Sequence, residues 1–132
     1  MADNNEWITL TRTGFRPVRF RDRDWVLVAD GRGDNYGDGL PDDAKKAQEW
    51  AAGHYSVFRI LVRRHRDDGR WLVYGFRLSV SDEWRGADVL AADWDIADAV
   101  TRFGAAMGAP ARVVQAALDE LPPLDLSADS DR

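Results

Sequence analysis

The residues able to do chemistry fall into three groups: a basic and aromatic stretch, an acidic glycine-rich segment and two isolated histidines. In residues 54–80, Arg59, Arg63, Arg64, Arg66, Arg70 and Arg77 stand against only Asp67 and Asp68. Guanidinium grips carboxylate or phosphate through a planar fork of donors and stacks on aromatic rings, so arginine interleaved with tryptophan suits contact with an anion. A three-residue turn at Asp67, Asp68 and Gly69 sets Arg59 directly across from Arg77, with Arg63 beside them and Trp71 opposite His65. Like charges so placed destabilise a sheet by up to about 1 kcal/mol. Relief can come from acidic helices of the same chain, from carboxylates of a protein partner, or from a phosphate backbone. Arg59, Arg63, Arg77, Trp71 and His65 are therefore the candidate binding residues.

The segment after Ala29, DGRGDNYGDGLPDD, offers a cation site. Asp34, Asp38, Gly39 and Asp42 fall at positions 1, 5, 6 and 9 of a twelve-residue calcium loop. Those positions make Asp34, Asp38 and Asp42 the candidate metal ligands, and GDGLPD resembles the calcium repeats of the thrombospondin type 3 family. Tyr36 stands where position 3 wants a carboxylate or Asn, and Lys45 replaces the bidentate Glu of position 12. Those departures remove about three of the six to eight oxygens that calcium prefers. The alternative is a solvated acidic loop.

An enzymatic reading finds little support. His54 and His65 both sit near strand ends and away from any candidate nucleophile. GRGDNYGDG is acidic and lacks the lysine of a phosphate-binding loop. The carboxylate pairs Asp93 with Asp95 and Asp82 with Glu83 are explained by helix starts and turns, and no HExxH or GxSxG motif is present. No catalytic residue and no cofactor is expected.

A chain of 132 residues with 45% hydrophobic and 31% charged residues, no cysteine and a net charge of -5 belongs with single soluble globular domains. Disulfides and thiolate metal sites are excluded. No apolar run approaches the ~20 residues a bilayer needs, and MADNNEWITL lacks the layout of a signal peptide, so the expected address is cytoplasmic. A pI of about 4.9 is opposite to the usual nucleic-acid footprint. The bases are nonetheless concentrated, with five arginines against two aspartates in residues 11–25 as well as the cluster in 54–80. Six tryptophans exceed what a small core commonly uses, and some suit exposed partner anchors.

The elements that must position these groups can be read from periodicity. Residues 6–11 alternate as a half-buried strand, Thr13 and Gly14 break it, and 15–21 form a second strand whose Pro17 demands an edge. Asp22, Arg23 and Asp24 make a polar turn, WVLVA suits a strand covered on both faces, and 30–43 reads as a loop. A helix is expected over 44–52, ending at Gly53. Ser56, Phe58, Ile60 and Val62 share one strand face, as do Leu72, Tyr74, Phe76 and Leu78. Placing both sets against one core gives the three-residue turn above and pairs Val62 with Tyr74, Ile60 with Phe76 and Phe58 with Leu78. Residues 81–86 read as a loop containing Trp84, with a short strand over 88–91. Asp93 caps a helix carrying Ile96, Val100 and Phe103, which Gly104 interrupts. Pro110 opens a second helix whose apolar face is Val113, Val114, Ala117, Leu118 and Leu121.

The opening WITLTRTGFRPVRF resembles that of a group of small bacterial proteins running W-x-x-L-x-R-T-G-x-R-P-L-x-F. The hairpin YSVFRI…DDGRWLVYGFR and the helix near 95–103 are similar in order to theirs. This resemblance implies an accessory role in bacteria and names no chemistry. The expected fold is α+β: an antiparallel sheet of about five strands with two to three helices on one face, over residues 1–121, then a disordered acidic tail at 122–132. The expected function is a non-catalytic binding or regulatory module meeting a protein partner through the Arg/Trp face. Nucleic acid on the same face is the first alternative and a calcium-binding module the second.

Overall fold

Two apolar faces on one sheet require cover from both sides, and this chain supplies it from its two ends. The computed structural model describes residues 6–35, 56–79, 82–90 and 96–123. Strands β1 (Trp7–Arg12) and β2 (Phe15–Arg21) form an antiparallel two-stranded ribbon. A 3-10 turn at Asp22–Asp24 leads into β3 (Trp25–Asp34), which joins β4 (Ser56–His65), β5 (Trp71–Ser79) and β6 (Glu83–Leu90) in a four-stranded antiparallel sheet of order β3-β4-β5-β6. Helices α1 (Ile96–Met107) and α2 (Ala111–Glu120) follow. The class is α+β with antiparallel sheets, but the single five-stranded sheet is corrected to six strands in two sheets. No helix among the described residues is long and apolar enough to cross a membrane.

The helices cover one face of the four-stranded sheet. Phe58, Ile60 and Val62 of β4, Trp71 and Val73 of β5, and Val100, Phe103, Met107, Val113 and Ala117 of the helices make the main core. The β1–β2 ribbon folds over the opposite face, where Ile8, Leu10 and Val18 pack with Phe20, Trp25, Leu72, Ala87 and Tyr74 in a second cluster. The Thr13 amide donates to the Arg85 carbonyl at 2.9 Å and the Arg85 amide to Thr13 Oγ1 at 2.9 Å, pinning the ribbon's turn to β6.

This double cover overturns the expected hairpin register. Phe58 pairs with Arg77, Ile60 with Gly75, Val62 with Val73 and Arg64 with Trp71. A four-residue connection over 66–69 replaces the three-residue turn, and Gly69 takes the left-handed conformation with φ +73°. The even residues of β4 thus share the helix side with the odd residues of β5. Leu72, Tyr74 and Phe76 turn to the ribbon side, where Leu72 is buried although no helix reaches it.

Three element boundaries are also corrected. WVLVA is a strand at the sheet edge, with Val26 and Leu27 exposed, and it continues through residues 30–34 that read as loop. Gly31 and Gly33 in that continuation let α2 approach, since a Cβ on Gly31 would stand 2.6 Å from the Ala117 nitrogen. Residues 83–90 are strand where a loop and a short strand were expected, with Trp84 turned inward against Phe103 at 5.6 Å. Helix α1 runs through Gly104, where Val114 of α2 packs closely, and ends at Gly108 with φ +74°. The helix expected over 44–52 and most of the acidic tail lie outside the described residues.

Candidate functional site

The corrected register separates the residues expected to act together. Arg59 pairs with Phe76 and Arg77 with Phe58, so the two arginines project from opposite faces. Trp71 is buried in the helix-side core, with Arg64 stacked 5.2 Å from its ring centroid. Truncating such a side chain costs about 3–5 kcal/mol, a packing role in itself. Arg77 bonds the end of α1, with Nη1 donating to the Met107 carbonyl at 3.1 Å and Nη2 to Asp82 Oδ2 at 2.6 Å. His65 holds the β4–β5 connection. Its Nδ1 lies 3.2 Å and 3.3 Å from the amide nitrogens of Asp67 and Asp68, which donate to it, and its ring meets Trp25 edge-on. The Asp68 carboxyl beside that turn is held below the usual range, chiefly by the Arg70 backbone amide.

Arg59 and Arg63 do share the ribbon side. A bulge between Leu27 and Ala29 shifts the parity of β3 and brings Asp30 and Arg32 to this side as well. Arg32 then lies directly across from Arg59. Like charges therefore do meet on the sheet, with a different partner from the one expected. Asp30 answers them, accepting from Arg59 Nε at 2.9 Å, Arg59 Nη2 at 2.7 Å and Arg32 Nη2 at 2.9 Å. The Arg59 hydrogen bond is the main cause holding the Asp30 carboxyl below its ordinary pKa. Arg63 donates to Tyr74 Oη at 2.9 Å, to Asp22 Oδ1 at 3.0 Å and to the Trp25 carbonyl at 2.9 Å, and it packs over Phe20. Carboxylates of strands and turns thus relieve the basic sheet, a source nearer than the helices.

The largest group of arginines without such relief is on the ribbon, while Arg64, stacked on Trp71, and Arg66, donating to the Arg23 carbonyl, also have no carboxylate within salt-bridge distance among the described residues. Residues 7–21 hold Arg12, Arg16, Arg19 and Arg21 and no acid. Among the described residues no carboxylate lies within salt-bridge distance of any of these four. Strand alternation turns Ile8, Leu10, Val18 and Phe20 inward and leaves Trp7, Thr9 and Arg19 outward. Trp7, 50% exposed, has the Arg19 and Arg21 guanidinium carbons 4.4 Å and 4.8 Å from its ring centroid. At the turn Phe15, 72% exposed, lies 5.3 Å from the Arg12 guanidinium. Stacking holds the forks in place without consuming their charge. Arg21 Nε is buried with no hydrogen-bond partner. The signal for this face was present in the sequence as four arginines without an acid in fifteen consecutive residues.

Asp38 and Asp42 of the expected calcium loop lie outside the described residues. The Asp34 carbonyl accepts from Arg112 Nη2, and the Asp34 carboxylate lies 3.3 Å from the same nitrogen. Among the described residues no group of three or more His, Asp or Glu is placed to hold a metal ion. No family model matches the chain, nor does any curated protein or solved structure.

Proposed function

We propose that this protein is a non-catalytic binding or regulatory module of the cytoplasm that meets an acidic segment of a protein partner through the outer face of the β1–β2 ribbon. The observation that carries this reading is the contrast in pairing: Arg59, Arg63, Arg77 and Arg85 each have a carboxylate within the chain, whereas Arg12, Arg16, Arg19 and Arg21 have none among the described residues. Exposed Trp7 and Phe15 add the aromatic anchors that binding hot spots favour.

A protein partner suits this face better than nucleic acid. The ribbon is a basic strip of two short strands, and Glu6, Asp22 and Asp24 border its base on a chain of net charge -5. An extended polyanion would meet those acids, whereas a short acidic segment can stay on the strip.

Affinity capture from a bacterial lysate tests the reading, comparing the wild type with Arg19→Glu plus Arg21→Glu and identifying recovered proteins by mass spectrometry. The expected result is an acidic protein retained by the wild type and lost by the variant. Recovery abolished by nuclease would transfer the same face to nucleic acid. Identical recovery by both forms would end the proposal.

A further inference from the structure

Between β1 and the part of the sheet it leaves uncovered lies a cleft of about 340 Å³, at the small end of the range for small-molecule sites. Its wall contains Arg59, Arg63 and Arg85 and no carboxylate. The acids paired with these arginines, Asp30, Asp22 and Glu83, all stand outside the wall. Each guanidinium is thus anchored by a carboxylate that is not part of the wall, with donors left over. Arg59 commits Nε and Nη2 to Asp30, Arg63 commits Nε and Nη1, and Arg85 commits Nε to Glu83. Arg59 Nη1, Arg63 Nη2 and both terminal nitrogens of Arg85 have no hydrogen-bond partner among the described residues. Tyr74 accepts from Arg63 through its hydroxyl oxygen, so its own proton remains to donate. Leu10, Leu61 and Phe76 supply apolar wall beside these donors, with the Arg85 guanidinium 5.5 Å from the Phe76 ring centroid.

Donors on β4 and β6 that flank the apolar Phe76 of β5 match a ligand with one anionic group and an apolar body. We propose that the cleft binds a small organic carboxylate, its carboxylate held by Arg59 and Arg85 and its body resting on Leu61 and Phe76. A planar carboxylate accepts two parallel bonds from a guanidinium fork, and the apolar wall is left wasted by a bare inorganic anion. Arg85 is the adjustable member. Its pair with Glu83 is exposed on both sides, and exposed pairs hold their geometry weakly. Arg63, 15% exposed and bonded to three groups, contributes charge from a fixed position. The site is separate from the outer ribbon face and stands or falls independently of it.

The probes are benzoate, hexanoate and inorganic phosphate, followed by saturation-transfer NMR and thermal shift on the full chain. Both carboxylates should bind saturably and more tightly than phosphate. Arg85→Gln should weaken benzoate by about tenfold and Tyr74→Phe by about threefold, the ordinary effect of losing one charged and one neutral hydrogen bond. Arg85→Lys, which keeps the charge and loses the fork, should fall between wild type and Arg85→Gln and serves if the latter is poorly folded. The assignment is overturned if neither carboxylate binds saturably, if phosphate binds more tightly than both, or if benzoate binding survives undiminished in both Arg85 variants.

Discussion

Arg59 and Asp30 form a bidentate pair across β3 and β4, Nε to Oδ1 at 2.9 Å and Nη2 to Oδ2 at 2.7 Å, and the same carboxylate also takes the arginine directly opposite Arg59. One acid thereby lets two arginines face each other on the ladder. The Asp30 amide, meanwhile, donates to Glu120 Oε1 at 2.7 Å, tying this strand edge to α2.

Acid should loosen this arrangement in a defined window. The Asp30 carboxyl is lowered by its Arg59 hydrogen bond, so its contribution to stability is complete above the unfolded value of about 3.9 and disappears as pH falls through the lower folded value. The difference in thermal midpoint between wild type and Asp30→Asn should stay constant from about pH 8 to about pH 5 and shrink below about pH 4. A difference that persists unchanged into stronger acid would contradict the pairing.

Arg77 is expected to matter for stability and not for partner capture. Its bond to the Met107 carbonyl satisfies an end of α1 that lies near Gly108. Arg77→Ala should reduce unfolding free energy by about 1–2 kcal/mol in urea titration, with recovery of the partner unchanged. Lost capture in a folded Arg77→Ala variant would return this residue to the contact surface.

Two nearby glycines should respond differently to the same substitution. A Cβ on Gly31 would stand 2.6 Å from the backbone nitrogen of Ala117, whereas one on Gly33 would meet only the Val113 side chain at 3.0 Å. Backbone cannot rotate away and a side-chain methyl can adjust. Gly31→Ala should therefore cost about 1–3 kcal/mol and clearly more than Gly33→Ala, as compared by chemical denaturation. Equal costs would mean that α2 does not sit this close to β3.

Capture by the ribbon should weaken as salt rises, because exposed charges are screened over about 10 Å at 0.1 M salt and about 3 Å at 1 M. Arg12→Ala and Arg16→Ala should each flatten that dependence while leaving thermal stability nearly unchanged. Arg102→Ala, which removes an exposed arginine paired with Asp98 on α1, is the control and should not alter it. Equal salt dependence in all four proteins would deny the ribbon a role.

Much of the chain's local order is set by short-range chemistry. Alternation in WITLTR and FRPVRFR, with Gly14 between them, is enough for the ribbon. The spacing of Val113, Val114, Ala117 and Leu118 is enough for the core-facing side of α2. The candidate site was less legible. Patterning marks Arg59, Arg63 and Arg77 as basic positions of one hairpin, but Arg77, Trp71 and His65 are occupied by a helix end, a core and a turn, and the arginine excess of residues 11–25 is legible as charge without showing which of those arginines find a carboxylate.

The sequence by itself determined which residues alternate, where most chain reversals occur and that the positive charge is concentrated in β segments. Only the tertiary structure decided the β4–β5 register. Period-two patterning says that Phe58 and Ile60 are apolar together and that Leu72 and Tyr74 are apolar together, but not whether the two sets face one cover or two. The ribbon from one end of the chain and the helices from the other cover opposite faces, so the sets separate and Arg59 and Arg77 separate with them. The same long-range packing turns the glycines of β3 into a seat for α2, because the need for a missing Cβ exists only once the helix arrives.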